Sequence, residues 1–170
     1  MKAVAFVGPS GCGKTTLIEA LLPHLQERGL AVGYLKSDAH AFDMDRPGKD
    51  TDRVFRGGAA RVAIASPEEA ALRLRLVRRD PLRLVDELFR GCDLVLVEGF
   101  KSSPLPKVEV RRVAGAPALL PAGDPTLRAV VSPFPDPRPL PRFHPDDAAA
   151  IARFLLEGSW ETVGGDPPTR

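Results

Sequence analysis

Apolar residues along this chain fall into short continuous runs, separated by stretches whose apolar residues recur at helical spacing. Residues 3–7 (Ala-Val-Ala-Phe-Val) are the first run, and they predict a strand buried on both faces. Leu17, Ile18, Leu21, Leu22 and Leu25 then lie on one stripe, which predicts a helix kinked at Pro23 and ended at Gly29. Ala31 to Lys36 reads as a second strand, Ser37 to Lys49 as a polar loop, Asp50 to Arg56 as a helix, and Ala60 to Ala65 as a strand. Leu72 to Leu76 alternates with period two, the pattern of a half-exposed antiparallel strand near an edge. Pro81 to Arg90 predicts a helix with proline in its first turn, and Asp93 to Val97 another buried strand. Lys107 to Arg111 alternates again, and Arg128 to Val131 is a short strand. Pro145 and Asp146 open a last helix with a stripe of Ala148, Ile151, Ala152 and Leu155, closed by Gly158. The Pro/Gly-rich residues 159–170 are expected to form a mobile tail.

Strand and helix in alternation predict an α/β fold: one three-layer domain over residues 1–158, with a mainly parallel sheet plus antiparallel edge strands. Eleven of the 18 prolines fall between Pro104 and Pro145, a density that forbids a helix and leaves only edge strands and loops.

Composition narrows the class. Ile, Leu, Val and Phe together number 47 of 170 residues, enough apolar surface to exclude intrinsic disorder. The net charge of +2 predicts no general attraction to nucleic acid or to a membrane surface. Two cysteines, Cys12 and Cys92, are too few for a disulfide framework, so a reducing cytoplasm is the expected location. Asparagine is absent, Gln26 is the lone glutamine, and arginine outnumbers lysine 18 to 6; heat adaptation or coding bias would each explain this.

One segment carries specific chemistry. Gly8-Pro9-Ser10-Gly11-Cys12-Gly13-Lys14-Thr15 matches the phosphate-binding pattern G-x-x-x-x-G-K-[ST] in full, with Thr16 following. It lies between a buried strand and an amphipathic helix, the context that motif requires. Its glycines let backbone N–H groups converge on a phosphate, aided by the helix N-terminus. Lys14 is expected to reach the β and γ phosphates, and the Thr15 hydroxyl to hold Mg²⁺. Cys12 contributes its backbone rather than its thiol. Glu98 follows the apolar run Leu94 to Val97, so it should emerge at the carboxyl edge of the sheet. There it could hold Mg²⁺ through a water or orient an attacking water. A further metal-side carboxylate is sought among Asp38, Asp43, Asp45 and Asp50, with N-capping the competing role for Asp50. His40 reads as a loop residue, and Arg78-Arg79 could clamp a phosphate or form a surface pair.

The missing amides decide one more point. Switch-type GTPases read guanine with Asn-Lys-x-Asp, which a chain without asparagine cannot contain. Gln26 lies more than two helical turns beyond the loop and cannot position a hydrolytic water. Any guanine is therefore read by other means, and hydrolysis should be slow.

Several segments belong together: the phosphate loop, Leu35-Lys36-Ser37-Asp38-Ala39-His40 with Phe42-Asp43 and Asp45, Pro47-Gly48-Lys49-Asp50-Thr51, Val97-Glu98-Gly99-Phe100-Lys101, and Pro106-Lys107-Val108-Glu109-Val110. In combination they resemble the MobB family, the molybdopterin-guanine dinucleotide biosynthesis adaptor proteins of the dethiobiotin-synthetase-like branch of P-loop proteins. The likeness runs from about Lys2 to Ser132. It implies GTP binding with Mg²⁺, weak GTPase activity, a homodimer, and cooperation with a molybdopterin guanylyltransferase. Position by position, it puts the nucleotide on Gly11 to Thr16, Mg²⁺ on Asp50 as well as Thr15, and the strand-end acid on Glu98. Ser132-Pro133 is the expected base side. A P-loop small-molecule kinase, with Arg73 to Arg79 as its lid, and a nickel metallochaperone GTPase are the alternatives; the latter is disfavoured by the lack of a Cys/His cluster.

Overall fold

The computed structural model describes residues 1–38, 46–76, 78–158 and 160. In chain order the elements are β1 (Lys2–Val7), α1 (Lys14–Gln26), β2 (Val32–Lys36), α2 (Asp50–Arg56), β3 (Arg61–Ala65), β4 (Ala70–Leu74), α3 (Pro81–Leu88), β5 (Leu94–Glu98), β6 (Lys107–Val110), β7 (Leu127–Val131), β8 (Arg142–Phe143) and α4 (Ala148–Glu157). They divide into two compact units, Met1–Ser37 with Asp80–Arg170, and Asp38–Arg79.

The larger unit is built on a six-stranded sheet in the order β2-β5-β1-β6-β7-β8, with every pair parallel. Alternation along the strands sends Val4, Phe6, Leu94, Leu96, Val108 and Val110 to one face, where they pack on Leu17, Ile18, Leu21 and Leu25 of α1 and on Ile151 and Leu155 of α4. Ala3, Ala5, Val7, Val95 and Val97 face the other way, onto Val85 of α3 and onto Leu105 and Leu120 from the connecting segments. Helix, sheet, helix: the three layers follow from runs that are apolar on both faces.

Element ends follow local chemistry. α1 continues through Pro23 to Gln26, and the chain leaves it at Gly29, whose φ of +74° suits a residue without Cβ. Asp80 caps α3 by accepting from the Leu82 N–H at 3.0 Å, and Asp147 caps α4 from the Ala150 N–H at 3.0 Å. Asp93 accepts from the Ala31 N–H at 2.8 Å, which ties the start of β2 to the start of β5. Beyond α4, Trp160 is buried, donating from Nε1 to the Leu155 carbonyl at 2.6 Å and meeting Phe154 edge-on. Residues 161–170 lie outside the described residues.

One expectation is overturned. The proline-rich third was expected to hold only edge strands and loops, yet β6 is an interior strand between β1 and β7, and β7 is interior as well. The prolines of that third all fall in the connections, so none removes a ladder hydrogen bond. The alternation Lys107-Val108-Glu109-Val110 does not mark a wet face either, since all four residues are buried. Their polar positions have internal partners instead. Lys107 Nζ donates to the Ser103 and Leu105 carbonyls and to Thr126 Oγ1, and burial lowers its pKa. Glu109 accepts from the Leu119 and Leu120 N–H groups and from Arg138.

The smaller unit pairs β3 antiparallel with β4 as a separate two-stranded ribbon, two residues earlier than the alternation at 72–76 suggested. Asp52 on α2 is its buried centre. It accepts from the Gly48 N–H at 3.0 Å, from Arg56 at 2.8 Å and from Arg73 at 3.0 Å. The Gly48 bond, then Arg73 and Arg56, hold its carboxyl at about 2. The guanidinium groups of Arg73 and Arg75 lie 4.0 and 4.4 Å from the Phe55 ring centre.

Candidate functional site

The phosphate loop links β1 to α1 at the carboxyl edge of the sheet, where ligands bind in open α/β folds. Gly8 is where the loop leaves the sheet, and a Cβ there would stand 2.4 Å from the Val110 carbonyl oxygen of β6. Only glycine allows that approach. Gly11 and Gly13 have φ of +73° and +84°, and Gly13 is the N-cap of α1. That helix begins with no side-chain cap and no acidic residue in its first turn, so its leading N–H groups face outward with their partial positive charge. Pro9, Ser10, Gly11, Thr15 and Thr16 are exposed, while the Cys12 thiol is turned into the core.

Lys14 folds back over the loop. Its Nζ donates to the Gly8 carbonyl at 3.1 Å and to the Pro9 carbonyl at 2.8 Å, with Cys12 Sγ at 3.8 Å. The ammonium is thus held over the loop opening, the place a phosphate must enter.

Thr15 and Glu98 meet. β5 pairs with β1 in a register that sets Glu98 beside Phe6, and the Thr15 hydroxyl donates to Glu98 Oε2 at 2.7 Å. Gly99, at φ +91°, follows Glu98, and a Cβ there would stand 2.9 Å from the Ser37 Cβ. Phe100 then takes φ +52°, a conformation that a bulky residue rarely adopts and that clusters at functional turns.

Tyr34 belongs to the same cluster and was not anticipated. From β2 its hydroxyl donates to Glu98 Oε2 at 2.8 Å. Partial burial, then the bond to Glu98 and its charge, push the phenol up to about 12. A single tyrosine inside an apolar run reads as packing, and its spacing from Glu98 carries no motif.

The remaining expected residues are placed as follows. Asp50 is the first residue of α2, in the smaller unit, with its carboxylate exposed and 3.8 Å from Arg53; the N-cap is Lys49. Arg79 donates to the Asp38 carbonyl, and Arg78 is exposed. His40, Asp43 and Asp45 lie outside the described residues. Ser132 is buried at the end of β7, where its Oγ accepts from the Phe134 N–H at 3.1 Å, its N–H bonds Phe143 and its carbonyl Arg142. Pro133 follows it on the partly exposed turn.

Among the described residues no three His, Cys, Asp or Glu side chains converge as a metal cage. Thr15 and Glu98 are nonetheless hard oxygen donors in contact, and that suits Mg²⁺, which binds through one or two carboxylates and takes its other ligands from phosphates and water. No described helix is long and apolar enough to cross a membrane.

Comparison with known proteins agrees with this fold. Residues 3–133 match the family model of MobB, molybdopterin guanine dinucleotide synthesis protein B. The molybdopterin-guanine dinucleotide biosynthesis adapter protein of Haemophilus influenzae is 37% identical over 111 residues, covering 64% of this chain and 62% of that protein. This chain therefore spans somewhat under two thirds of that relative. The probable adapter protein of Bacillus subtilis is 34% identical over 170 residues, covering 94% of this chain and 95% of that one. A crystal structure of Bacillus subtilis MobB superposes with a TM-score of 0.71 at 30% identity, over 92% of this chain and 97% of that one. A phosphate loop facing a strand-end glutamate, on an all-parallel sheet and with this extent of likeness, leads to one assignment: the chain belongs to the MobB family.

Proposed function

We propose that this protein is a nucleotide-binding adapter in molybdopterin guanine dinucleotide biosynthesis, which binds GTP with Mg²⁺ and works with a molybdopterin guanylyltransferase. The observation that supports this best is the Thr15–Glu98 contact beside the Lys14 ammonium, all three at the mouth of one phosphate loop. In this reading the loop N–H groups from Ser10 to Thr16 bind phosphate oxygens, with Gly8 and Pro9 shaping the loop, and Lys14 exchanges its bonds to Gly8 and Pro9 for the β and γ phosphates. Thr15 and Glu98 hold Mg²⁺, which would supply charge neutralisation of the triphosphate, and Asp50 is the candidate for a further carboxylate. Glu98 also orients water for a slow hydrolysis. The Ser132-Pro133 turn lies on the base side. The protein acts as a homodimer in the cytoplasm.

The kinase alternative loses support from the smaller unit. Arg73 is bonded to Asp52, and Arg73 and Arg75 both pack on Phe55, so they are engaged within that unit.

Calorimetry with GTP, ATP and molybdopterin in competition tests the reading. GTP is expected to bind tightly only with Mg²⁺, and Lys14→Ala should weaken it by ~2–3 kcal/mol, the worth of a charge-assisted contact. Equal GTP affinity in Lys14→Ala would show that the site is misplaced. ATP displacing GTP would refute the ligand.

A further inference from the structure

Gly13 is in contact with a side chain from outside the phosphate motif. Arg112 lies two residues beyond β6, in step with Val108 and Val110, which face α1. Its side chain packs directly on Gly13: a Cβ there would stand 2.9 Å from Nε, 3.1 Å from Cζ and 3.2 Å from Cδ of the arginine. The glycine of the motif is needed for its φ of +84°, and the Arg112 guanidinium occupies the space beside it.

Among the described residues Arg112 is a cation without a counterion: its buried Nε has no hydrogen-bond partner there, and no carboxylate there pairs with the group. Arg111 also has an Nε without a hydrogen-bond partner there, but it faces carboxylates, as other arginines do that contact buried groups: Arg138 and Arg111 face Asp136 and Glu109, and Arg73 faces Asp52. Arg112 sits instead at the N-cap of α1, one residue from Lys14, where the helix end adds positive charge. Two cations and a helix N-terminus repel one another unless they share an anion.

We propose that Arg112 is a second phosphate-binding cation of this site, taking oxygens of a nucleoside di- or triphosphate at the N-terminus of α1 from the β6 side. The proposal rests on the nucleotide reading given above. A planar fork can grip two phosphate oxygens through two parallel N–H bonds, a fixed geometry that the point charge of a lysine does not supply, so Arg112→Lys is not a conservative change. Because the contact is to the phosphate chain and not to the base, it acts equally on a ligand with no base.

The test measures binding of GTP, GDP and inorganic tripolyphosphate to wild type, Arg112→Gln, Arg112→Lys and Lys14→Ala, with thermal melts with and without each probe. Arg112→Gln should weaken all three probes by about tenfold or more, with Arg112→Lys in between. Its ligand-free melting temperature should hold or rise, since an unpaired buried donor has been removed, while the ligand-induced rise shrinks. Binding lost in Lys14→Ala but unchanged in Arg112→Gln would overturn the role of Arg112 and leave the nucleotide site standing. A ligand-free melt lowered by Arg112→Gln and restored by Arg112→Lys, with the ligand-induced rise intact, would make Arg112 structural and also overturn it. Wild type that binds none of the probes would overturn the nucleotide site, and this proposal with it.

Discussion

Replacing Arg138 by methionine should destabilise the larger unit by ~3 kcal/mol, since removing one partner of a buried ion pair commonly costs ~3–5 kcal/mol. Arg138 bonds Asp136 through Nε at 2.8 Å and Nη2 at 2.8 Å, and through Nη1 it bonds Glu109 at 2.9 Å and the Leu120 carbonyl at 3.0 Å. The Arg138, Asp136 and Glu109 side chains are only 4%, 3% and 0% exposed, so water cannot replace what is lost. Two features keep the expectation at the low end of that range. Arg111 still pairs with Asp136, and the Leu119 and Leu120 N–H groups still bond Glu109. In a chain of this size, ~3 kcal/mol corresponds to a drop in melting temperature of roughly 6–12 °C.

Urea unfolding of wild type, Arg138→Met, Glu109→Gln and the double variant measures the effect as a cycle. The double variant should lose less than the sum of the two singles, because the neutral amide introduced by Glu109→Gln leaves no stranded carboxylate on β6. The effect of pH has a definite sign. The Arg138 hydrogen bond, above all, depresses the Asp136 carboxyl to about 2. Its contribution is therefore present above the ordinary carboxylate range near 4 and is lost as pH falls toward 2. The difference between wild type and Arg138→Met should shrink over that interval. A loss under about 1 kcal/mol at neutral pH, below any buried-pair value, would refute the idea that this network fastens the loops after β6 and β7.

Tyr34 is the only tyrosine, so the ultraviolet absorbance of tyrosinate reports it alone. Its midpoint should lie near 12, and Glu98→Gln should bring it down toward 10; a wild-type midpoint at 10 with the fold intact would dissolve the cluster. Because the folded value is raised, its contribution to stability is full below pH 10 and fades as pH climbs to 12. Tyr34→Phe should cost ~0.5–1.5 kcal/mol in urea and weaken Mg²⁺-dependent GTP binding less than Glu98→Gln does; equal losses would make Tyr34 a ligand and not a support. Phe55→Ala should destabilise the smaller unit by ~3–4 kcal/mol, since it removes a buried ring and two stacked guanidinium groups, and hydrogen exchange confined to residues 46–76 would read it. Protection there that matches wild type would show that the ring carries no such role.

The site was legible where chemistry and sequence are contiguous. The phosphate loop is eight successive residues, and Glu98 ends an uninterrupted apolar run, so both could be found without a structure. Partners brought together by the sheet could not. The partner of Glu109 was not legible, because Arg138 stands 29 positions away in a proline-rich stretch whose composition spoke only of loops and edges. Period-two alternation says that two faces differ, and not that one of them is wet; loop residues such as Leu105 and Leu120 covered the second. Tyr34 and Arg112 escaped for the same reason, since each reaches the loop only through strand order. The three-layer sheet itself followed from the apolar runs, whereas the antiparallel ribbon was recognised as strands without its independence from the main sheet.

The two hydroxyls beside Glu98 have a directional consequence. Thr15 and Tyr34 both donate to the same carboxylate oxygen, and the two hydroxyls also interact with each other. The Glu98 carboxylate thus supplies negative charge beside the loop, while the Lys14 ammonium lies over the Gly8 and Pro9 carbonyls. On the proposed nucleotide reading, a bare polyphosphate would meet attraction on one side and repulsion on the other. A divalent cation would offset the repulsive half, so the mouth would favour a metal–nucleotide pair over a metal-free one.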